Sequence, residues 1–594
     1  MAEHGSCWTC RLRRKKCDRE QPACRTCSVL KIRCHYSANR PEWMEGGEKQ
    51  EEMTRRLKLQ VKQGKEVRRE RDYVQVLSIA SAPMPHVPPL PDATTADSMS
   101  GGDKDSTPRS MELPGSCVRS NGSLASKQLQ DAPAVQSTFR DISPYSAVND
   151  LDVDFTMMYL DHVFPFLFPF YSPPMIQGGR AWVLDLLRNN NTMFHAAMSL
   201  STFFFTLVLS SDDVSGHEGC RRIVWQRLDT YSNVTIKSLQ EEMLALNQQR
   251  SKATLLQQVT AMESITQLMV FEAAMAKTSE LDLHLAAAIS LLEEIFEGSK
   301  LDGCVDIRRV IAGLERPSWM ALVSDRPVWN TDQAAFRFFL AYLLWADIIS
   351  STSLRTVPRL RKHYRSLICH QYGSDATEPL IQMEEYVGCE GWALVAIADA
   401  VVLERWKREE QSNGTFTAEA LAQWGDQIYQ GFQTSLKEFE ERSTKREDGS
   451  RNTILHSFYR SSDANQHTQQ VAATRIWAHA ARIFLTVVIF GWQPRHPFIR
   501  ESVGEVLRFL QEAQSPAILR NSVWPFCVAG CLADADQEQD FKALAAASGA
   551  LQSFGTVGHA LQISEHVWKR RAKLSMDWDL TACFEIMGTP VLLL

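Results

Sequence analysis

The sequence predicts a mostly α-helical chain made of a small N-terminal cysteine module, a disordered linker and a large all-helical body. Three observations predict it. Six of the fourteen cysteines fall within Cys7–Cys34. Residues 78–144 are rich in Pro, Ser, Gly, Asp and Thr and show no sustained period, the composition of a segment unable to bury enough apolar surface to fold. From Leu151 onward, apolar residues recur at helical spacing and strand-like alternation is nearly absent. The expected parts are the cysteine module over 1–40, a basic helical connector over 41–77, the linker over 78–144 and the helical body over 145–594.

The chain has 594 residues and a net charge of −6, which alone disfavours a nucleic-acid binder. The distribution reverses that. Nine Lys or Arg against Asp18 and Glu20 give Cys7–Cys34 a charge of +7, leaving −13 on the rest. Such asymmetry marks a small basic module attached to an acidic body. The first residues, MAEHGSC, lack the apolar core of a signal peptide, so the cysteines are expected in a reducing compartment. A dense cysteine cluster there points to metal rather than disulfides.

The cysteines read C-x2-C-x6-C, a six-residue gap, then C-x2-C-x6-C again: Cys7, Cys10, Cys17, then Cys24, Cys27, Cys34. With Val29, Leu30 and Ile32 as nearly all its apolar content, the segment cannot fold unaided. Metal binding supplies the missing free energy, and thiolates at this spacing suit tetrahedral zinc. Two tetrahedra need eight ligand positions, and six thiolates fill eight only if two of them bridge both metals. The alternatives are a mononuclear site on Cys7, Cys10, Cys24 and Cys27, and an iron–sulfur cluster. The matched x6 spacings weigh against the first, since it leaves Cys17 and Cys34 idle. The cations packed between the ligands weigh against the second.

These residues resemble the fungal binuclear zinc cluster domain, whose pattern is C-x2-C-x6-C-x5-12-C-x2-C-x6-8-C with basic residues after the second Cys and a Pro shortly before the fourth. Here Pro22 precedes Cys24. The resemblance implies two zinc ions per chain, Cys7 and Cys24 as bridging ligands, and Pro22 in the turn joining two short metal-bound helices. It implies a nuclear, sequence-specific regulator of RNA polymerase II transcription whose partner is double-stranded DNA. Arg11 to Lys16 is expected on the helix between the second and third ligands, in the major groove. The family form R-x-R-K-x-K-C-D reads here Arg11-Leu12-Arg13-Arg14-Lys15-Lys16-Cys17-Asp18. The family's Lys that reads a CGG-like triplet is thus replaced by Arg14, which can pair bidentately with guanine. Arg11, Arg13, Arg14, Lys15, Lys16 and Lys31 are the candidate DNA contacts, with Arg11, Lys16 and Lys31 assigned to phosphates. As a plain charge run, RLRRKK would be a solvated face or a nuclear localisation signal; the flanking ligands favour a DNA reader.

In the connector, Met53, Leu57, Val61 and Gly64 fall at spacings of four, four and three. Two readings stand: a short dimerising coiled coil, making a homodimer, or one solvated helix whose cations follow the phosphate backbone. In the body, helices are expected over 153–168, 180–210, 217–247, 252–276, 279–298, 331–352, 383–411, 417–442, 465–490, 496–514, 523–533, 537–553 and 555–571. In the 331–352 helix, Asn330 or Thr331 caps, and Phe336, Phe339, Leu340, Leu343, Leu344 and Ile348 line one broad face. The stretches LLWADIISSTSLRTVPRL, GCEGWALVAIADAVVLERWK, TRIWAHAARIFLTVVIFGWQP and VWPFCVAGCLA, with the tail from ISEHVWKRR, are similar to the fungal-specific transcription factor domain. That resemblance implies a regulatory body acting through co-regulators or a small-molecule effector.

An enzyme is not expected, because no Gly-rich phosphate loop, H-E-x-x-H or G-x-S-x-G is present. Cys527 and Cys531 read as core packing, Asp347 as a hydrogen-bonded structural carboxylate, and His479 as a satisfied histidine. The apolar runs from Met193 and Ile476 carry His195, and His479 with Arg482; both read as buried helices rather than membrane spans. The alternative function is a zinc-stabilised interaction scaffold without sequence-selective DNA binding.

Overall fold

The computed structural model describes residues 6–21, 23–30, 32–36, 40–44, 47, 49–58, 150–174, 179–211, 218–248, 252–301, 304–314, 329–369, 379–445 and 464–594. The expected linker, Pro22 and Lys31 lie outside the described residues. So do Val61 and Gly64.

The cysteine module has two short helices, α1 (Trp8–Leu12) and α2 (Arg25–Val29), followed by a 3-10 turn (Glu42–Met44) and a helix α3 over 49–58. Its apolar centre consists of Cys7, Cys10, Cys24, Cys27, Ile32 and Leu57.

The helical body begins with α4 (Asp150–Met158), which runs through a π-helical turn (Tyr159–Val163) into Phe164–Leu167. Then come α5 (Ala181–Asn189), α6 (Asn191–Ser211), α7 (Glu218–Gln248), α8 (Leu255–Ala274) and α9 (Leu281–Gly298). Two residues each of β1 (Lys300–Leu301) and β2 (Cys304–Val305) pair antiparallel, Lys300 with Val305. Next are α10 (Ile307–Gly313), α11 (Thr331–Leu354), α12 (Arg361–Ile368), α13 (Met383–Val387), α14 (Gly391–Asn413) and α15 (Ala418–Lys445). The last third holds α16 (Ala464–Phe490), α17 (Pro497–Ala513), α18 (Pro516–Asn521), α19 (Val523–Cys531), α20 (Glu538–Ala546), α21 (Val557–Arg570) and α22 (Leu580–Phe584). Neighbours in sequence pack against each other, α6 with α7, α8 with α9, α14 with α15 and α16 with α17. One continuous apolar core runs from Phe155 to Leu594.

Helix α11 organises this core. It touches α5, α8, α9, α13, α14 and α22. A single broad apolar face was the expectation. Instead Ala335–Phe336 and Phe338–Ser353 are buried without interruption, because the helix has neighbours all round. Asn330 is its cap: its side chain accepts from Gln333 N–H, and Gln333 returns the bond. Among the described residues two helices are apolar and long enough to cross a membrane, Thr331–Leu354 and Gln466–Phe490, and both are mostly buried in the body.

Three expected helices are broken, the first two for a clear local reason. The 180–210 helix stops at Asn190, whose side chain accepts from Met193 N–H at 2.9 Å and so caps α6. The 383–411 helix is interrupted at Gly388, where φ is +76° and a Cβ would strike the Phe170 ring. Gly391 then opens α14 against the Ile368 carbonyl, which a Cβ would meet at 1.9 Å. The 537–553 helix ends at Ala546 and resumes as a 3-10 turn from Gly549 to Ser553. The short helices α10, α12, α18 and α22 were not anticipated, being too brief for a periodic signal.

Candidate metal centre and nucleic-acid interface

Cys7 and Cys24 sit at the N-caps of α1 and α2 with extended backbones. The Cys7 sulfur accepts the Cys10 N–H at 3.3 Å, and the Cys24 sulfur accepts the Cys27 N–H at 3.4 Å. The two halves match further. Cys7 N–H donates to Cys17 Sγ at 3.5 Å, as Cys24 N–H does to Cys34 Sγ at 3.4 Å. Lys15 N–H closes α1 on the Cys10 carbonyl at 3.0 Å, as Ile32 N–H closes α2 on the Cys27 carbonyl at 3.1 Å. The duplicated cysteine spacing thus becomes a duplicated local fold.

Among the described residues, two cysteine groups bring their sulfurs within 4.8 Å of one another: Cys7, Cys10, Cys17 and Cys24; and Cys7, Cys24, Cys27 and Cys34. The groups share Cys7 and Cys24. The Cys7–Cys24 and Cys7–Cys27 sulfurs are 3.8 Å apart, and Cys10–Cys24 are 3.6 Å apart. A zinc tetrahedron with bonds of about 2.3 Å spaces its sulfurs by about 3.8 Å, whereas a disulfide needs about 2.05 Å. The donor set therefore fits zinc. Burial pushes Cys10 up to about 11 and drives the Cys7 and Cys27 thiols higher still. Burial also raises Cys17, but the Tyr36 phenol and backbone N–H groups outweigh it and leave that thiol at about 6. Crowded thiols of this kind ionise together only around a cation.

Several residues that frame the cysteines were missed from sequence. Thr9 Oγ1 donates to the Arg33 carbonyl at 2.9 Å and accepts the His35 N–H at 3.2 Å. Asp18, directly after the third cysteine, accepts the Arg25 N–H, the first of α2, with both oxygens. Tyr36 places its hydroxyl 3.3 Å from Cys17 Sγ. The C-D pair was a signal for Asp18. Nothing local in the sequence marks Thr9 or Tyr36.

The basic run corrects one expectation. Only Arg11 and Leu12 of Arg11–Lys16 lie in α1, which ends at Leu12. Arg13 is the C-cap, and Arg14 takes the left-handed conformation, φ 52°. Arg14 N–H bonds the Arg11 carbonyl at 3.1 Å and Lys15 N–H the Cys10 carbonyl. Together these form the Schellman stop that glycine usually completes. The x6 spacing to Cys17 requires this stop, since the chain must turn back to bring the third sulfur to the group. Arg11, Arg14, Lys15 and Lys16 are exposed and Arg13 is half-buried. Arg11 lies over the Trp8 ring at 4.8 Å, with Nε bonded to Ser6 Oγ.

The sequence model of the fungal Zn(2)-Cys(6) binuclear cluster domain matches residues 5–42, and that of the fungal specific transcription factor domain matches residues 154–594. The chain belongs to the fungal zinc-cluster transcription factors. Transcription factor dibT of Pestalotiopsis microspora is 34% identical, over 99% of this chain and 98% of its own length. The pestheic acid cluster transcriptional regulator 3 of Pestalotiopsis fici is 26% identical, over 97% of this chain and 96% of its own length. The trichothecene biosynthesis transcription regulator TRI10 of Trichoderma arundinaceum is 26% identical, over 75% of this chain and 98% of its own length. No solved structure matches the chain. This zinc-cluster factor is a zinc-binding, DNA-binding transcription regulator and not an enzyme.

In the body, the residues weighed for chemistry are structural. Asp347 is buried and accepts from Arg359 N–H, Leu360 N–H and Tyr364 O–H at 3.0, 2.7 and 2.5 Å. Burial raises its carboxyl, and the three donors offset part of that. Cys527 and Cys531 are buried in the core. His479 faces Ser502 Oγ at 3.4 Å and stacks on Phe509. A cleft of about 750 Å³ lies between α12, α14 and α15 and presents Trp392, Trp424 and Phe432 beside Arg361 and Arg365.

Proposed function

We propose that this factor reads CGG-like DNA triplets in the nucleus through a loop-and-helix surface held by two zinc ions. Cys7, Cys10, Cys17 and Cys24 would hold one ion, and Cys7, Cys24, Cys27 and Cys34 the other, with Cys7 and Cys24 bridging. The overlap of the two cysteine groups at Cys7 and Cys24 is the observation that carries this reading. Zinc supplies charge that keeps six thiolates together and so fixes the module's shape. The chain's own residues do the recognition. Arg14 is presented at the turn just past α1 for guanine O6 and N7. Arg11, Lys16 and Lys31 supply phosphate contacts that set affinity and register, and Arg13 and Lys15 are the remaining candidate DNA contacts.

The relatives named above include a regulator of the pestheic acid cluster and one of trichothecene biosynthesis. We infer that this chain likewise controls a set of biosynthetic genes. The cleft between α12, α14 and α15 is the site offered for a co-regulator or small-molecule effector. The test combines a metal count on the purified chain with selection of bound sequences from random DNA. Two zinc ions per chain and an enriched triplet with conserved guanines are expected. Two zinc ions without enrichment would replace this reading with an interaction scaffold.

A further inference from the structure

We propose that α3 is the third helix of the DNA-binding module, seated in cis by Leu57, and is not a dimerisation seam. This rests on the zinc-cluster reading. Leu57 is 5% exposed and shares one apolar cluster with Cys7, Cys10, Cys24, Cys27 and Ile32; Met53 packs against that cluster. Met53 and Leu57 are the only apolar residues in 49–58, one helical turn apart on a single face. The rest of the helix is polar, with Lys49, Glu51, Glu52, Arg55, Arg56 and Lys58 exposed. A coiled coil needs an apolar seam sustained over about three or four heptads. In 49–58 the one apolar face is already occupied by the chain's own cysteine cluster.

A further observation supports docking in cis. The chain leading into α3 is tied back to α1. Trp43 meets the His35 ring edge-on at 5.4 Å. His35 in turn accepts the Trp8 N–H at 2.9 Å through its carbonyl and donates its own N–H to Thr9. The module therefore continues past its last cysteine, and Leu57 covers the buried thiols against water and chelators. Leu57 is a positioning residue: it acts on the DNA-reading surface through the cluster it covers.

The test uses the zinc-loaded full chain, its Leu57→Ala and Leu57→Met variants, and a DNA site selected by the wild-type chain. Two quantities are read: the rate of zinc release to a chromogenic chelator, and the number of chains per DNA by sedimentation velocity. Leu57→Ala is expected to release zinc about tenfold to a hundredfold faster, the loss expected for one buried leucine. Leu57→Met, which conserves volume, should stay close to wild type. Chains per DNA should be the same for all three. An unchanged release rate in Leu57→Ala overturns the proposal. So does a fall in chains per DNA, which would identify Leu57 as part of a seam between subunits. A wild-type chain without bound zinc would instead defeat the underlying metal reading, before Leu57 is altered.

Discussion

Replacing Arg14 by glycine should move stability and DNA affinity in opposite directions. Arg14 is held at φ 52°, where a residue with a Cβ is strained by about 1–2 kcal/mol and glycine is not. Glycine gives back part of that gain, about 0.4–1 kcal/mol, through the greater freedom of its unfolded chain. The net expectation is a module more stable by about 0.5–1 kcal/mol, seen as a higher melting temperature in excess zinc. The same change removes the guanidinium offered to guanine, for which a loss of about 1–3 kcal/mol in specific binding is expected, and roughly none in binding to scrambled DNA beyond one phosphate-strength charge. Fluorescence anisotropy at one fixed salt concentration measures both DNA terms, because affinities compared across salt are uninterpretable. Arg14→Lys retains the cation and the strain, so it should fall between the two in affinity and leave stability unchanged. Unchanged specific affinity in Arg14→Gly would refute the assignment of Arg14 to base reading. A lower melting temperature would refute the strain argument.

Four further outcomes are expected. Zinc uptake should release protons, because burial holds Cys10 at about 11 and Cys7 and Cys27 higher without a cation; apparent zinc affinity should therefore rise with pH, measured by proton-release titration. Burial raises Glu242 from its ordinary 4.5 to about 7, partly offset by bonds from Ser264 and Thr192, so its native form binds the extra proton. Its contribution is fully present below about pH 4.5 and is lost as pH rises through 7; Glu242→Gln should flatten that fall by about 3 kcal/mol, read from melts at pH 5 and 8. Asp347→Ala should destabilise the body by about 3 kcal/mol, since it strands the Arg359 and Leu360 N–H groups and the Tyr364 hydroxyl; urea unfolding of the full chain measures it. Gly391→Ala should cost about 3 kcal/mol by the same assay, since the new Cβ meets a backbone carbonyl rather than a movable side chain.

The metal centre was the most legible part of the sequence, because ligand identity and spacing are local facts. Cysteines at i and i+3 converge on one side of a helical turn, and the expected sharing of two sulfurs matches the overlap of the two cysteine groups on which the proposed two-ion reading rests. The long amphipathic helices were legible for the same reason. What the sequence hid depends on contacts between distant segments. The resemblance places the run Arg11–Lys16 on a helix, yet α1 stops at Leu12 because Cys17 must return to Cys7. Met53 and Leu57 have coiled-coil spacing, and only the fold shows which surface covers them. The stops at Asn190 and Gly388 were written in residue types that favour caps and turns, but a longer apolar period masked them. Thr9 and Tyr36 gave no signal, since an isolated Thr or Tyr acquires meaning only from the backbone or sulfur brought beside it.

The overlap of the two cysteine groups at Cys7 and Cys24 bears on how the factor would respond to scarce zinc. On the two-ion reading proposed above, filling one group already organises both sulfurs common to the other, so a second ion meets a half-built site with fewer protons left to displace. Occupancy is then expected to pass from zero to two with few singly loaded molecules between. A cell short of zinc would hold a smaller number of fully competent regulators beside empty ones, and not a uniform population of weakened readers. Promoter output would track the count of competent molecules, while the affinity of each for its site stayed constant.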